Sequence, residues 1–349
     1  MKISIIIPVY NSGRNIIDCL SSIMESTFDD FETIVVDDAS MDNSANIVNE
    51  FIVQNNEDNI YLIESKINKR AGGARNLGIL RASGDYILFV DQDDKITPEL
   101  LEELYLSSSN GAIDCISCDV LDKNSKVYRR PDFLTRKTLS LKHKIDLIIN
   151  HGYIFGTLIK RSLIEKHKLF FPEDVMFEDV LYNLALFAKV NSFSHTKHIG
   201  YLRTIDRDSQ TAKLTLKKLD DRITSADWYY RKLVAYPEYE SLKDLIGSQY
   251  MYYVCSSNIW FMLWNINTFN YSKLKDFVRK GKMIPVFWKV SRFEDKRFAL
   301  HQRVALEMVY LLPIASFIFM ILYNISRVCY KNLFKLTKLL TRVDNNDRS

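Results

Sequence analysis

Apolar positions in the first hundred residues alternate between two rhythms. Short, mostly apolar runs lie at residues 3–9, 31–36, 60–63 and 86–90, rich in β-branched and aromatic side chains. Runs of that kind read as strands buried on both faces. Between them the apolar positions fall at helical spacing. Ile16, Leu20, Ile23 and Met24 mark one helix, 42–51 a second with Asp42 or Asn43 near its cap, 72–82 a third, and 98–106 a fourth entered through Thr97 and Pro98. Such alternation predicts a parallel sheet covered by helices on both faces.

After about residue 111 the pattern becomes mixed. Residues 113–121 read as a strand, Asp122-Lys123-Asn124-Ser125 as a turn, 153–159 as extended and 178–188 as a helix. From about residue 211 the chain reads as helical, with an amphipathic stretch at 214–234. A further stretch at 242–264 is crowded with aromatics, among them Tyr250, Tyr252, Tyr253, Trp260, Phe261 and Trp264. Helix packing explains that stripe better than a ligand platform.

The chain has 349 residues, 47% of them hydrophobic, enough for about two globular domains. No internal repeat or low-complexity tract interrupts it. Five scattered cysteines (Cys19, Cys115, Cys118, Cys255, Cys329) point to a reducing compartment without a disulfide framework. Cys115 and Cys118 have the spacing of a redox or zinc pair. They fall in a strand, where residues three apart face opposite sides, which argues against such a pair. The N-terminus enters a strand directly, and its apolar run is too short for a signal peptide.

A net charge of +4 hides an asymmetry. Residues 1–272 carry a net −6 and residues 273–349 a net +10. A basic arm on an acidic body predicts an anionic surface as partner. Residues 308–323 carry no charge, which favours a membrane over nucleic acid. Those sixteen residues fall short of the roughly 20 that span a bilayer, and the wider segment 304–325 reaches that length but includes Glu307 as well as Pro313. Both flanks are basic, which a single span cannot place on one side of the membrane. A surface-lying or re-entrant helix fits better than a span or a core helix.

The strand ends carry acids. Asp91-Gln92-Asp93-Asp94 follows the run at 86–90, and Asp37-Asp38-Ala39-Ser40 follows the run at 31–36. In a parallel sheet both loops open on one edge, the edge where open α/β sheets bind ligands. Three crowded carboxylates repel unless a cation or donors sit among them, and hard oxygens suit Mg²⁺ or Mn²⁺. Turn and cap roles are the plain alternatives for these acids. Ala71-Gly72-Gly73-Ala74-Arg75 puts small residues and a cation at a helix start, a place for an anion. Glu178 and Asp179 enter a helix at its N-terminus, either as caps or with one as a general base. Tyr201-Leu202-Arg203 and Ser209 fall in a polar loop, where Arg203 would clamp a phosphate. No Gly-x-Gly-x-x-Gly follows the first strand and no Walker sequence occurs, against a dinucleotide enzyme or P-loop NTPase.

Together these segments resemble the family 2 inverting glycosyltransferases of the GT-A nucleotide-sugar fold. The matching pieces run in the family's order: Ser4-Ile5-Ile6-Ile7-Pro8-Val9-Tyr10-Asn11, Val35-Val36-Asp37-Asp38-Ala39-Ser40, Ala74-Arg75-Asn76-Leu77-Gly78, Gly84 through Asp94, and Glu178-Asp179. The resemblance implies a GT-A-like, Rossmann-type mixed α/β sheet flanked by helices, over residues 1–210. A mainly α-helical extension would follow at 211–303, basic toward its end, with an apolar helix and basic tail at 304–349. It implies that Pro8, Val9 and Tyr10 wall the nucleotide base, Asp38 bonds the uracil ring, Arg75 contacts the nucleotide and Asp91 faces the ribose. Asp93 would hold Mn²⁺ or Mg²⁺ on the diphosphate. Asp179 would be the catalytic base with Glu178 beside it, Arg203 and Ser209 would close over the diphosphate, and Asp94 would be structural. Ala39 stands where many members have glycine.

The implied activity is inverting, metal-dependent transfer of a hexosyl or N-acetylhexosaminyl group from a UDP-sugar to a lipid-linked or growing surface glycan, such as capsule, exopolysaccharide or O-antigen. The basic arm would hold the enzyme at the cytoplasmic face of the plasma membrane, peripheral or monotopic. Two other readings stand beside it: a catalytically silent glycan-binding or assembly subunit, and a sugar-1-phosphate nucleotidyltransferase.

Overall fold

The computed structural model describes residues 1–128, 154–176 and 178–204, together with parts of 135–147 and 215–247. The expectations for Ser209, for the aromatic stretch beyond residue 247 and for the basic and apolar segments at 273–349 concern residues outside that set. Residues 1–214 with 220–242 form one compact unit, and 215–219 with 243–349 a second.

In chain order the elements are β1 (Ile3–Val9), α1 (Asn15–Met24), β2 (Phe31–Asp37), α2 (Ser44–Asn55), β3 (Ile60–Glu64), α3 (Arg70–Arg81), β4 (Tyr86–Phe89), β5 (Lys95–Ile96) and α4 (Leu100–Leu106). Then come β6 (Cys115–Asp122), β7 (Val127–Tyr128), β8 (Thr135–Arg136), β9 (Thr157–Lys160), α5 (Arg161–His167), α6 (Asp179–Lys189), β10 (Phe193–Arg203) and α7 (Leu216–Val234). The strands form one mixed α/β sheet whose main path runs β3-β2-β1-β4-β9-β6-β10-β5. Its first four strands are parallel, as the alternation of strands and helices predicts. β9 enters antiparallel between β4 and β6, and this insertion makes the sheet mixed.

β1 is buried along its whole length, so its two faces pack against different layers. Ile3, Ile5, Ile7 and Val9 join Ile16, Leu20 and Ile23 of α1 in the main core. Burying each such side chain stabilises the fold by about 1.5–3 kcal/mol. On the other face, a Cβ at Gly78 of α3 would lie 2.3 Å from Ile6 Cγ2, so glycine lets α3 rest directly on β1. Cys118 lies in the main core and Cys115 is buried outside that cluster, both on β6.

The N-terminal edge of the parallel strands is closed by a buried acid. Glu32 Oε1 accepts the Ser4 hydroxyl at 2.7 Å, the Ser83 N–H at 2.6 Å and the Ser83 hydroxyl at 2.8 Å. Burial works to raise the Glu32 pKa, but these donors outweigh it and hold it below the usual carboxylate range.

Three local expectations need correction. The fourth helix begins at Leu100, and the Thr97 hydroxyl pairs with His198 Nε2 at 2.9 Å instead of capping it. The third helix begins at Arg70, so Gly72 and Gly73 lie inside it, and the Gly73 N–H is bonded to Lys69 O. A Cβ at Gly72 would stand 2.3 Å from Pro172 O, so this glycine lets the segment before Asp179 pack against the first turn of α3. Tyr201, Leu202 and Arg203 end the long strand β10 instead of lying in a loop. Polar residues at 194–198 and a register shift between His195 and Ile199 broke the alternation that would have marked the strand.

Candidate active site

Val9 pairs with Asp37 and Ile6 with Phe89, so the chain leaves β1, β2 and β4 on the same sheet edge. Gln92 binds two of these loops together. Its Oε1 accepts the Tyr10 N–H at 2.8 Å and its Nε2 donates to Tyr10 O at 3.4 Å, extending the pairing beyond the end of β4. Tyr10 is half-buried at the rim, Pro8 is buried, and the Val9 side chain belongs to the main core.

Asp38 donates its N–H to Val9 O at 2.7 Å, and its Oδ1 accepts the Lys69 N–H at 2.8 Å. Its Oδ2 is buried and has no hydrogen-bond partner, and Asp37 Oδ1 is in the same position. Burial pushes the Asp38 pKa up. A buried acceptor without a donor costs about 1–3 kcal/mol, a cost that a ligand N–H would relieve. Ala39 has φ 57°, a left-handed conformation that favours glycine.

In the next loop, Asp94 is buried and fully engaged. Its Oδ2 accepts the Tyr201 hydroxyl at 2.7 Å and its Oδ1 the Thr204 N–H at 2.7 Å. Burial, then the charge of Asp91, pushes Asp94 up to about 8. Asp91 points the other way, with a side chain 39% exposed and Oδ1 2.8 Å from Arg75 Nη2. Asp93 is half-buried beside it. Among the described residues no three His, Cys, Asp or Glu side chains gather into a metal cage. Asp93 with Asp91 fits a different kind of ion. Mg²⁺ and similar hard cations take one or two carboxylates and fill the remaining positions with water and substrate phosphate.

Glu178 and Asp179 enter α6 as expected, Glu178 at the N-cap position and Asp179 as the first helical residue. Glu178 Oε1 accepts Arg75 Nη1 at 2.5 Å. Arg75 thus joins the Asp91 loop to the start of α6, although 16 and 103 residues separate it from its partners. Arg75 is only 5% exposed. Burial works against its charge, but Asp91, Glu178 and Asp179 outweigh it and raise its pKa further. Asp179 is half-buried, and burial, followed by repulsion from Glu178, pushes it up to about 7.

Arg203 lies with its guanidinium carbon 4.8 Å from the centre of the Phe155 ring, which stacks on Tyr201 at 5.4 Å. The structure thereby brings together Tyr10, Asp38, Asp91, Asp93, Arg75, Glu178 and Asp179 through the parallel edge and the Arg75 bridge. Sequence reasoning did not find Gln92 or Tyr201. Gln92 carried only its place between two acids as a signal, and Tyr201 carried none because its strand went unread.

Residues 4–168 match the family model described as glycosyl transferase family 2. A poly(ribitol-phosphate) beta-glucosyltransferase of Bacillus spizizenii is 33% identical over 214 residues, covering 60% of this chain and 33% of that protein. The chain thus spans only about a third of that relative's length. A cholesterol galactosyltransferase of Borreliella burgdorferi is 25% identical over 358 residues, 96% of this chain and 98% of that one. Among solved structures, S. aureus TarS 1-349 in complex with UDP-GlcNAc shares the fold, with a TM-score of 0.68 at 20% identity over 89% of this chain and 92% of that one.

Proposed function

We propose, from the premise that residues 4–168 form a glycosyl transferase family 2 domain, that this chain moves a sugar from a UDP-sugar to an acceptor hydroxyl with inversion. The observation that carries the reading is Asp179. It stands at the start of α6, tied through Glu178 and Arg75 to the Asp91 loop, and burial pushes its pKa up to about 7. A general base works best with a pKa near the operating pH. Asp179 takes the acceptor's proton as its oxygen attacks the anomeric carbon, and the bond to the diphosphate breaks on the opposite face. An α-linked donor then gives a β-linked product.

On the donor side, Pro8 and Tyr10 wall the base, and Asp38 Oδ2 accepts the base N–H that its burial leaves it without. Asp91 turns its exposed face to the ribose. Arg203, braced on Phe155, reaches toward the diphosphate. Asp93, with Asp91, would hold a divalent cation, which when bound supplies charge neutralisation at the leaving group.

For the acceptor we infer a lipid-linked or growing surface glycan. One relative acts by its name on a ribitol-phosphate polymer, and the relative matched over its full length acts by its name on cholesterol, a membrane lipid. The net +10 of residues 273–349 supports docking at an anionic membrane face. Removing residues 300–349 is then expected to release the protein from membranes, and unchanged fractionation would end that part of the reading.

A panel of nucleotide-sugars, with and without Mn²⁺ or Mg²⁺, tests the whole. Metal-dependent turnover of a UDP-sugar is the expected result. Tight UDP binding with no turnover would make the chain a silent binding subunit. Formation of a nucleotide-sugar from a nucleoside triphosphate and a sugar-1-phosphate would make it a nucleotidyltransferase.

A further inference from the structure

Asn76 and Arg75, adjacent on α3, both hold the segment that leads into Asp179. Asn76 is 7% exposed. Its Oδ1 accepts the Phe171 N–H at 2.8 Å and its Nδ2 donates to Phe171 O at 2.9 Å, a two-way clasp like one rung of a strand ladder. The Phe171 ring lies on the Tyr182 ring at 4.0 Å with 5° between their planes. Tyr182 is three residues beyond Asp179 on α6, so the two are neighbours across one helical turn. Phe89, the last residue of β4, meets both rings edge-on, at 5.4 Å and 6.5 Å. Two residues after Phe89 the chain reaches Asp91.

Arg75 makes a second, parallel link. Its Nη1 reaches Glu178 at 2.5 Å and its Nη2 reaches Asp91 at 2.8 Å, with the guanidinium carbon 5.4 Å from the Phe171 ring centre. The approach is close because Gly72 has no side chain: a Cβ there would stand 2.3 Å from Pro172 O and 3.2 Å from Glu178 Cγ. Both terminal nitrogens of Arg75 are thus engaged with carboxylates of the two loops that must meet across the substrates.

We propose that Arg75 and Asn76 are positioning residues that fix Asp179 relative to the Asp91 loop, Asn76 through the Phe171–Tyr182 stack and Arg75 through Glu178. The inference rests on reading Asp179 as the base of a sugar transfer. Asp179 is carried on a segment separated by long stretches of chain from β4, and the clasp and the fork hold it in register together with Lys69, whose carbonyl accepts the Asp174 N–H at 3.1 Å and whose Nζ lies 3.0 Å from Glu173 Oε2. Misplacement of a catalytic group by about 1 Å costs about 100-fold in rate. Lysine at position 75 would keep the charge but lose the planar fork that spans two carboxylates.

The test compares Asn76→Ala and Arg75→Lys with the full-length wild type. Measured are kcat, donor KM, UDP affinity by calorimetry and hydrogen exchange at the Phe171 amide and the first turn of α6. The expected result is a fall in kcat of about 10- to 100-fold, donor KM and UDP affinity within about twofold, and faster exchange at Phe171 in Asn76→Ala. Arg75→Lys combined with Glu178→Gln should lose little more than either change alone, because both cut one link. A UDP affinity that weakens in step with kcat/KM would overturn the proposal and make Arg75 a nucleotide contact. Unchanged kcat in a folded variant would overturn it too. If Asn76→Ala fails to fold, Arg75→Lys decides. If the wild type turns over no nucleotide-sugar, the functional reading fails, and unchanged exchange at Phe171 and the α6 start would separately end the positioning claim.

Discussion

Two sets of buried carboxylates sit at opposite ends of the same parallel strands. At the N-terminal edge Glu32 receives three hydrogen bonds on one oxygen, and its second oxygen has Arg81 4.0 Å away. Its pKa is lowered against the pull of burial. At the C-terminal edge Asp37 and Asp38 each keep a buried oxygen without a partner, and Asp94 and Asp179 are pushed up to about 8 and about 7, burial being the first cause in both. The chemical group is the same and so is the sheet. The N-terminal acid is fully supplied with donors and pins β1, β2 and the start of β4. Asp94 is satisfied by Tyr201 and Thr204, but Asp37 and Asp38 at that edge each lack one donor, the state expected of groups whose missing partner arrives with a ligand.

The contrast can be broken most sharply at Asp93. Asp93→Ala is expected to abolish the metal-dependent part of donor binding, by at least the roughly 10- to 100-fold that metal affinity loses when groups one step from the ion are changed. Calorimetry with UDP with and without Mn²⁺ would show it, and a metal effect that survives the change would move the ion elsewhere. Next comes the pin. Glu32→Ala strands three donors and should cost about 1–3 kcal/mol in urea unfolding, with UDP affinity unchanged. Loss of UDP affinity in the folded variant would show that the two edges are not separate in function.

The pH dependence of stability should have opposite signs at the two edges. Glu32 binds its proton more weakly when folded, so its contribution is present above its unfolded pKa and lost as pH falls through the lower folded one. Asp179 binds its proton more tightly when folded, so its effect runs the other way. Folding is favoured while it is protonated, and stability declines as pH rises from the ordinary carboxylate range through about 7. Asp179→Asn should therefore raise the melting temperature at pH 8 more than at pH 5, while Glu32→Gln should lower it most above pH 5. The smallest effect belongs to Ala39, whose φ of 57° makes Ala39→Gly stabilising by up to about 1 kcal/mol. A drop in melting temperature would indicate that the Ala39 methyl group packs usefully.

Much of this was legible in the sequence. The strands at 3–9, 31–37, 60–64 and 86–89 announce themselves because they are mostly apolar on both faces, and the acids that follow the second and the fourth mark one sheet edge. The half of the sheet beyond β4, where parallel and antiparallel pairs mix, was not legible in the same way. β10 carries Ser194, His195, Lys197 and His198 in its first half and shifts register before Ile199, so no simple period describes it. The pairing of Arg75 with Glu178 was also out of reach, because sequence gives residue types but not which of them meet across 103 positions. Gly72 shows the same limit. A glycine pair at a helix start suggested an anion cradle, whereas the nearest atom to a Cβ at Gly72 is the Pro172 carbonyl oxygen in the segment that leads to Asp179.

The central claim is that the C-terminal edge is built around Asp179 as the base, and one paired measurement tests it directly. UDP affinity and sugar transfer are measured side by side for wild type and Asp179→Asn, at a pH above 7. UDP affinity should stay within about twofold while transfer falls by about 10²- to 10⁴-fold, the usual contribution of a general base. Transfer at the wild-type rate by Asp179→Asn would contradict it.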